Sequence, residues 1–445
     1  MDNPKIVLIG AGSAQFGYST LGDIAQSETL KEGKAEIVLH DINPTSMGIV
    51  AKNLQDFIDA ENLPFTLSAT TSRAEALKGA DFCIISIEIG NRFELWEQDW
   101  KLPLQYGMQQ VFGENGGPGG LFHALRITPP ILEICGDIEK ICPDAFVFNF
   151  SNPMSRICTT VNMKFPHLKF IGLCHEIASL EQHLPKILNR SWDSLKVTAG
   201  GLNHFSVLLE AVDAQDGTDL YPEIREKAPD YFATLPTWLP EMIASAERSA
   251  GEEKPTRPWH ERSLFKVILE KFGLLPITTD SHFGEYPGWA WDVVDHEGIV
   301  DFYNSYKRFV LSTKPKLEIK LTERVVPVID GIINDSHYEE SAVNIPNDGL
   351  IPDFPSFMSI EVPAQVSRSG LRGREIGSIL PPGFAGLLYN QVAIHRLTAE
   401  TILTGSREIA LQALLTDQAV NKVQAAEKML DHMLTLQNRY LGYIK

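Results

Sequence analysis

The sequence predicts an α/β protein, in which a mostly parallel, doubly wound sheet occupies the first half of the chain. Short apolar segments alternate with helical patterns over about the first 200 residues. The first of these segments ends in a glycine-rich turn, and polar residues follow the later ones. Strands this apolar, separated by helices, are typical of a parallel sheet that is covered on both faces. The alternation stops near residue 200, which predicts one domain over residues 1–200 and another over 201–445.

The predicted elements follow from hydrophobic periodicity and from β-branched runs. Predicted strands cover residues 5–10, 35–41, 81–87, 145–150, 169–174 and 195–199. Predicted helices cover residues 20–26, 46–59, 384–404 and 406–431. The acidic segment from Glu247 to Pro258 is expected to be a loop or an inserted segment.

Composition excludes several classes of protein. The chain has 445 residues, 44% of them hydrophobic, and a net charge of −18, which indicates a folded globular protein with a large core. The acidity disfavours nucleic acid and anionic membranes as partners. Neither a signal peptide nor an apolar run of about 18 residues is visible. The five cysteines form no C-x-x-C pair, so we expect a reduced protein in the cytoplasm.

The glycine turn after the first predicted strand points to a dinucleotide. Gly10 and Gly12 permit a tight turn whose amides can approach a pyrophosphate at a helix N-terminus, although Gln15 replaces the third glycine of the usual pattern. Asp41 ends the second strand, where a carboxylate would bind the ribose hydroxyls and select NAD over NADP. The alternative is an ordinary glycine turn with a surface aspartate. The predicted cofactor-binding residues are Gly10, Gly12, Ser13, Ala14, Gln15, Asp41 and Asn149.

Polar residues follow three later strands, at the edge of an α/β sheet where ligands bind. These segments are 148–154, 172–176 and 200–204. Cys174 and His204 could share one metal ion, but a cysteine is more often a small buried hydrophobe and a lone histidine a structural residue. Residues 113–120 form a further glycine-rich segment around Glu114, which suggests close approach of backbone to a ligand.

Taken together, these motifs resemble glycoside hydrolase family 4. The matching pieces are the Gly10–Ser13 turn, Glu114 with Gly-Pro-Gly-Gly after it, Ser151–Met154, Cys174–Glu176, Gly201–His204 and Asn344–Asn347. They occur in the family's order. The resemblance implies a fold like that of lactate and malate dehydrogenases, with a Rossmann-like nucleotide-binding domain and an α+β second domain.

The resemblance also implies a redox-neutral hydrolysis that depends on NAD and a divalent metal. NAD⁺ takes a hydride from C3 of the sugar, a base removes the acidified C2 proton, and the aglycone leaves C1 by elimination. Water then adds to C1, and the hydride returns to C3. The metal, usually Mn²⁺ in the family, stabilises the enediolate. Because a thiolate is a soft ligand, residue chemistry alone would have favoured zinc or iron.

Site roles follow from the matching positions of the family. Cys174 and His204 match the metal ligands, and Asn152 matches the residue that holds substrate hydroxyls, with Asn203 expected to support it. His175 is expected to be the proton donor and Asp280 the proton acceptor. Glu114 matches the acid that raises the basicity of the acceptor.

Departures from the phosphosugar branch of the family predict the substrate. This chain has Cys-His-Glu at 174–176, and no clear counterpart of that branch's phosphate-binding arginine. We expect a non-phosphorylated α-glucoside or α-galactoside. The alternatives are an α-glucuronidase or α-galacturonidase of the same family, or an NAD-dependent dehydrogenase of hydroxy acids or sugars. A homodimer or homotetramer is expected.

Overall fold

A computed structural model describes residues 1–235, 258–312 and 315–445. Within them, the strands are β1 (Lys5–Ile9), β2 (Glu36–His40), β3 (Thr66–Thr70), β4 (Phe82–Ile85), β5 (Phe146–Asn149), β6 (Lys169–Gly172), β7 (Leu195–Leu202), β8 (Phe205–Asp213), β9 (Leu275–Pro276), β10 (Glu339–Pro346), β11 (Ser359–Ser367) and β12 (Gly370–Gly373). Apart from Pro258, the predicted loop from Glu247 lies outside the described residues.

The α-helices of the described residues alternate with these strands in the first half of the chain, and they make up most of its last 65 or so residues. They are α1 (Ala14–Gln26), α2 (Glu28–Glu32), α3 (Pro44–Ala60), α4 (Arg73–Leu77), α5 (Arg92–Gln105), α6 (Gly117–Ile141), α7 (Met154–Lys164), α8 (Ala178–Leu188), α9 (Tyr221–Thr234), α10 (Ser263–Val267), α11 (Asp280–Phe283), α12 (His296–Ser312), α13 (Val325–Asn334), α14 (Pro382–Thr404), α15 (Arg407–Thr416), α16 (Val423–Leu436) and α17 (Asn438–Leu441). Among the residues described, no helix is long and apolar enough to cross a membrane.

The described chain forms two compact units, each assembled from three stretches. Unit 1 comprises Met1–Gly90, Ile127–His175 and Lys314–Glu375, and unit 2 comprises Asn91–Arg126, Glu176–Thr313 and Ile376–Lys445. The division of function near residue 200 stays a prediction.

Unit 1 contains the predicted parallel sheet. Its strands run in the order β3-β2-β1-β4-β5-β6, and every neighbouring pair in this row is parallel. This is the strand order of doubly wound dinucleotide-binding folds. All the residues of β4 and β5 are buried, because helices cover both faces of such a sheet. The predicted fold class is therefore confirmed.

Unit 1 also contains antiparallel strands that arrive late in the chain. Asn344 of β10 pairs with Gly172 of β6, and β11 and β12 extend this edge. Strand β6 ends at Gly172 rather than at the predicted residue 174, so Cys174 follows the strand.

Unit 2 is built around the β7–β8 hairpin and a large set of helices. The two strands are antiparallel, and Leu202 pairs with Phe205, which leaves Asn203 and His204 as the turn. The single helix predicted over 406–431 is wrong, because α15 ends at Thr416 and α16 begins at Val423. Asp417 explains the break: its carboxylate accepts the amide hydrogen of Ala419, a local bond that competes with the helix.

Candidate active site

The glycine turn of unit 1 and the acid at the end of β2 are directly bonded. Gly12 donates its amide hydrogen to Oδ2 of Asp41 over 2.8 Å, and a Cβ on Gly12 would lie 2.7 Å from that oxygen. Gly10 has φ +96°, and a Cβ there would lie 2.0 Å from the carbonyl oxygen of Ser86. Position 10 therefore requires glycine, whereas a side chain at position 12 would displace the Asp41 carboxylate from the turn.

Helix α1 begins at this turn. Ser13 is its N-cap and accepts the amide hydrogen of Phe16 over 3.4 Å, while Ala14 and Gln15 form the first turn of the helix. In the usual pattern, the third glycine allows the helix to pack closely against its neighbours. In this chain, Gly17 provides that close packing. A Cβ on Gly17 would lie 3.0 Å from Cγ1 of Val50. The absence of glycine at position 15 therefore leaves the architecture of the turn intact.

The loop after β5 combines a structural asparagine with a buried acceptor. The side chain of Asn149 bonds both the carbonyl and the amide of Ser151, so it holds its own loop in shape. The Ser151 hydroxyl bonds the backbone of Ile87 at the end of the neighbouring strand. In the described residues, the buried Oδ1 of Asn152 has no hydrogen-bond partner. An unsatisfied buried acceptor is costly, so this atom is suited to a ligand hydroxyl.

Glu176 and His204 of unit 2 place two metal-ligand side chains side by side, and Cys174 precedes Glu176 by two residues in the chain. Oε2 of Glu176 accepts the backbone amide hydrogen of His204 over 2.9 Å, and Oε1 lies 3.8 Å from Nε2 of the same residue. Thiolate, carboxylate and imidazole are all ligands of divalent transition metals. The donor set and its spacing therefore fit one divalent cation.

The turn that positions His204 is constrained at both of its residues. His204 has φ +63°, a left-handed conformation that is costly for a residue with a side chain. The Glu176 carboxylate holds its amide, and the Tyr286 hydroxyl donates to the carbonyl of Asn203 over 3.1 Å. Backbone strain of this kind persists only where surrounding contacts determine the conformation, and it is frequent at functional sites.

A buried imidazole–carboxylate pair lies beside His204. Nε2 of His282 is 3.2 Å from Oε2 of Glu114, and the His282 and His204 rings are 4.5 Å apart between centroids. Burial disfavours the charged imidazole, but Glu114, Glu285 and Glu176 outweigh it and raise the pKa of His282 to about 9. Burial likewise opposes the charge of Glu114, yet His282 and Arg92 hold the pKa of that carboxyl far below its ordinary value.

Arg92 completes the surroundings of Glu114. Its guanidinium donates to Oε1 of Glu114 over 3.2 Å and to the hydroxyl of Tyr306 over 2.8 Å. It also lies over the rings of Trp96 and Tyr306, at 5.6 and 5.3 Å from their centroids. Glu114 is thus held between two cationic side chains.

Glu285 anchors the glycine-rich segment that presents Glu114. Its carboxylate accepts the amide hydrogens of Glu114 and Asn115, the latter at 3.1 Å to each oxygen. A Cβ on Gly116 would lie 2.6 Å from the carbonyl oxygen of Glu285, so glycine is required for this approach. Burial raises the pKa of Glu285 to about 8.

The surroundings of Asp280 are those of a helix cap. Its two carboxylate oxygens accept the amide hydrogens of Leu264 and Phe265 over 2.7 and 2.8 Å, at the start of α10. Burial raises the pKa of this carboxyl well above its ordinary value. In helix α11, successive residues are rotated by about 100°, so Asp280 and His282 point about 200° apart. His282 contacts Glu114, whereas Asp280 binds α10.

His175, the predicted proton donor, is largely exposed. Its side chain is 76% exposed, and its Nδ1 lies 3.7 Å from Oε1 of Glu323. Burial, followed by the charge of Asp23, raises the pKa of Glu323 to about 7. Exposure is compatible with protonating a leaving group that departs toward solvent.

No role was predicted from the sequence for His282 or Glu285, and the contacts of Arg92 and Glu176 were not predicted either. The polar composition of segment 280–286 was a usable signal for the first two. Whether Asp280 or His282 faces Glu114 depends on helix rotation, which composition does not specify.

Family comparisons match most of the chain, including the residues of this site. Residues 5–190 match the family described as "Family 4 glycosyl hydrolase", and residues 199–420 match its C-terminal domain. An α-glucosidase of Erwinia rhapontici is 56% identical over 99% of both chains. An α-galactosidase of Bacillus subtilis is 28% identical over 93% of this chain and 92% of its own.

A solved structure confirms the fold. It is a 6-phospho-α-glucosidase from gut microorganisms in complex with NAD and Mn²⁺. It superposes with a TM-score of 0.78 at 20% identity and covers 98% of both chains. At this level of identity, the similarity shows the fold alone.

Proposed function

The chain belongs to family 4 of the glycosyl hydrolases, and we propose that it hydrolyses non-phosphorylated α-glucosides with NAD⁺ and a divalent cation as cofactors. The observation that supports the sugar is the 56% identity to an α-glucosidase, which extends over nearly the whole chain, against 28% for the α-galactosidase. The family membership supports glycoside hydrolysis itself.

The charges of unit 2 favour a neutral sugar. The Glu176 carboxylate lies beside His204, a proposed metal ligand, so a phosphate or a uronic acid bound there would meet a like charge. Arg92 already bonds Glu114 and Tyr306, which commits this guanidinium to the protein. An α-galacturonide or a phosphorylated glucoside is therefore disfavoured.

Two sets of residues would hold the cofactors. Gly10, Gly12 and Ser13 would shape the turn, and Ala14 and Gln15 at the start of α1 would offer backbone amides to the pyrophosphate of NAD⁺, with Asp41 at the ribose and Asn149 shaping the loop after β5. Cys174 and His204 would bind the cation, for which we propose Mn²⁺. When bound, NAD⁺ supplies reversible oxidation of the sugar at C3, and the cation supplies Lewis-acid stabilisation of the charge left by the C2 proton.

The remaining residues bind the sugar and move protons. Oδ1 of Asn152, a buried acceptor, would bind a sugar hydroxyl, and Asn203 would support the same ring from the hairpin turn. We assign the C2 proton to the imidazole of His282 in its neutral form, with Glu114 as the partner that binds Nε2, in place of the Asp280 expected from the sequence. Both oxygens of Asp280 are engaged by backbone amides, whereas His282 lies against His204. His175 would protonate the departing aglycone, with Glu323 beside it.

The same chemistry bears on location and assembly. A thiolate at Cys174 would have to stay reduced to bind a metal, so we propose a cytoplasmic enzyme. A homodimer or homotetramer is proposed on the family resemblance.

A panel of nitrophenyl glycosides tests the proposed function. We expect nitrophenol release from the α-glucoside above the α-galactoside and α-galacturonide, and only with NAD⁺, Mn²⁺ and thiol all present. Full activity after removal of both cofactors would overturn the proposal. Stoichiometric accumulation of NADH would instead identify a net dehydrogenase, because the hydrolysis returns the hydride.

A further inference from the structure

Glu176 occupies an unexpected position for a residue that follows the Cys-His pair. Its side chain lies beside that of His204, and Cys174 precedes it by two residues in the chain. Metal–nitrogen and metal–oxygen bonds of about 2.0–2.2 Å and metal–sulfur bonds of about 2.3 Å allow two ligands of one ion to be at most about 4.5 Å apart. Oε1 of Glu176 and Nε2 of His204, which are 3.8 Å apart, therefore fit as ligands of one ion.

The two oxygens of Glu176 have different surroundings. Oε2 accepts the backbone amide hydrogen of His204 over 2.9 Å, which fixes the carboxylate against the hairpin turn. Oε1 lies 3.8 Å from Nε2 of the His204 ring. A small movement of the two side chains toward each other would bring these atoms to the separation of neighbouring ligands on one ion. The Glu176 side chain is only 10% exposed, so bulk water screens its charge little.

We propose that Glu176 is a third protein ligand of the divalent cation and that it makes this site selective for a hard ion such as Mn²⁺. This inference rests on the proposed metal-dependent function and deepens it. Thiolate and imidazole alone favour softer ions, whereas a carboxylate oxygen is a preferred ligand of Mn²⁺. The carboxylate also brings a second negative charge beside the thiolate, which strengthens binding of any divalent cation.

The alternative is that Glu176 only tethers the turn through the His204 amide. Glu176→Gln separates the two roles, because glutamine retains an oxygen that can accept the amide hydrogen but loses the charge. A tether would survive this change, whereas a metal ligand would not. Glu210→Gln is the matched control: Glu210 lies on the same hairpin and accepts the Thr198 hydroxyl over 3.2 Å, away from the turn.

The experiment measures metal binding by the full-length protein without substrate. Mn²⁺ affinity is read from the paramagnetic resonance signal of free Mn²⁺, and Zn²⁺ affinity from competition with a chromophoric chelator. We expect Glu176→Gln to weaken Mn²⁺ binding by about tenfold more than Zn²⁺ binding. Glu210→Gln is expected to bind both ions like wild type.

Cobalt provides a readout of the coordination itself. With Co²⁺ bound, we expect Glu176→Gln to keep the thiolate charge-transfer band of Cys174 and to change the visible bands that report coordination number. Unchanged Mn²⁺ affinity and Co²⁺ bands, or equal loss of Mn²⁺ and Zn²⁺ together with the thiolate band, would overturn the inference. If wild type binds no Mn²⁺, the proposed metal dependence fails, and the inference fails with it.

Discussion

His282 and Glu114 form a buried pair, with Nε2 of the imidazole 3.2 Å from Oε2 of the carboxylate. They come from separate stretches of unit 2, 168 residues apart in the chain. The His282 ring also lies against the ring of His204, one of the proposed metal ligands. An imidazole oriented by a carboxylate is a common arrangement for a group that removes a proton.

The first prediction separates His282 from Asp280. His282→Asn should lower kcat by about 10²- to 10⁴-fold, the usual contribution of a proton-transfer group, while NAD⁺ affinity stays at the wild-type value. Asp280→Asn should chiefly lower the melting temperature, because asparagine keeps only one acceptor oxygen and one of the two backbone amides loses its partner, at a cost of about 1–3 kcal/mol. Steady-state rates and thermal melting of both variants check this.

The reverse pattern would restore the assignment made from the sequence. An Asp280→Asn variant with wild-type melting and no exchange of the C2 proton would identify Asp280 as the base. In that case His282 would serve only to hold Glu114.

A second prediction concerns the segment that carries Glu114. Gly116→Ala should destabilise the protein by about 1–3 kcal/mol and lower kcat, because the new methyl group would lie 2.6 Å from the carbonyl of Glu285. Gly48→Ala is the matched control. Gly48 lies in α3, where a methyl group would meet no atom within 4 Å outside its own stretch of helix backbone, so alanine there should leave kcat unchanged and stabilise the helix slightly. Equal effects of the two substitutions on kcat would contradict the prediction.

The third prediction is a pH dependence of stability in the metal-free protein. The pKa of His282 is raised from 6.5 to about 9, so its stabilising contribution is complete below pH 6.5 and is lost as the pH rises through 9. The pKa of Glu285, raised to about 8, acts in the same direction, because the unfolded chain releases that proton earlier. For one proton, the free energy of unfolding falls by about 1.4 kcal/mol per pH unit in this window.

Glu114→Gln tests the origin of this pH dependence. Without the carboxylate, the pKa of His282 should fall, and the melting temperature should decline less between pH 6.5 and 9. A Glu114→Gln variant with the slope of wild type would show that another group is responsible.

The fourth prediction concerns the choice of dinucleotide. Asp41→Asn should weaken NAD⁺ binding by about 10- to 100-fold, because a charged acceptor at the ribose is lost. The ratio of NAD⁺ affinity to NADP⁺ affinity should fall for the same reason. Asp59→Asn, an exposed aspartate at the end of α3, should bind both dinucleotides like wild type. Titration of the two dinucleotides measures this, and an unchanged preference in Asp41→Asn would remove Asp41 from the cofactor site.

Local patterns predicted the parallel half of unit 1 well. Buried strands such as β4 and the glycine turn before α1 depend on neighbouring residues, which periodicity reports. Strand β3 was missed because its sequence, TLSAT, is polar and largely exposed at the edge of the sheet. Strands β10 to β12 join the sheet from about 170 residues farther along the chain, and no local signal specifies such a pairing.

In the candidate site, too, local motifs predicted some residues, whereas contacts that depend on tertiary packing were missed. Cys174, His204 and Asp41 were predicted from motifs that sit beside predicted strands. The contacts of Glu176 with His204 and of Glu285 with Glu114 depend on tertiary packing. Asp280 and His282 are two residues apart, and only the rotation of α11 determines which of them meets Glu114.

The measurement that tests the central claim most directly is hydrolysis of an α-glucoside in D₂O with NAD⁺ and Mn²⁺ present. Removal of the C2 proton and its return from solvent should place deuterium at C2 of the released glucose, detected by proton NMR or mass spectrometry. His282→Asn should release little product, and that product should lack the label. Glucose released at the full rate with hydrogen at C2 would contradict the account, because direct displacement at C1 leaves the C2 bond untouched.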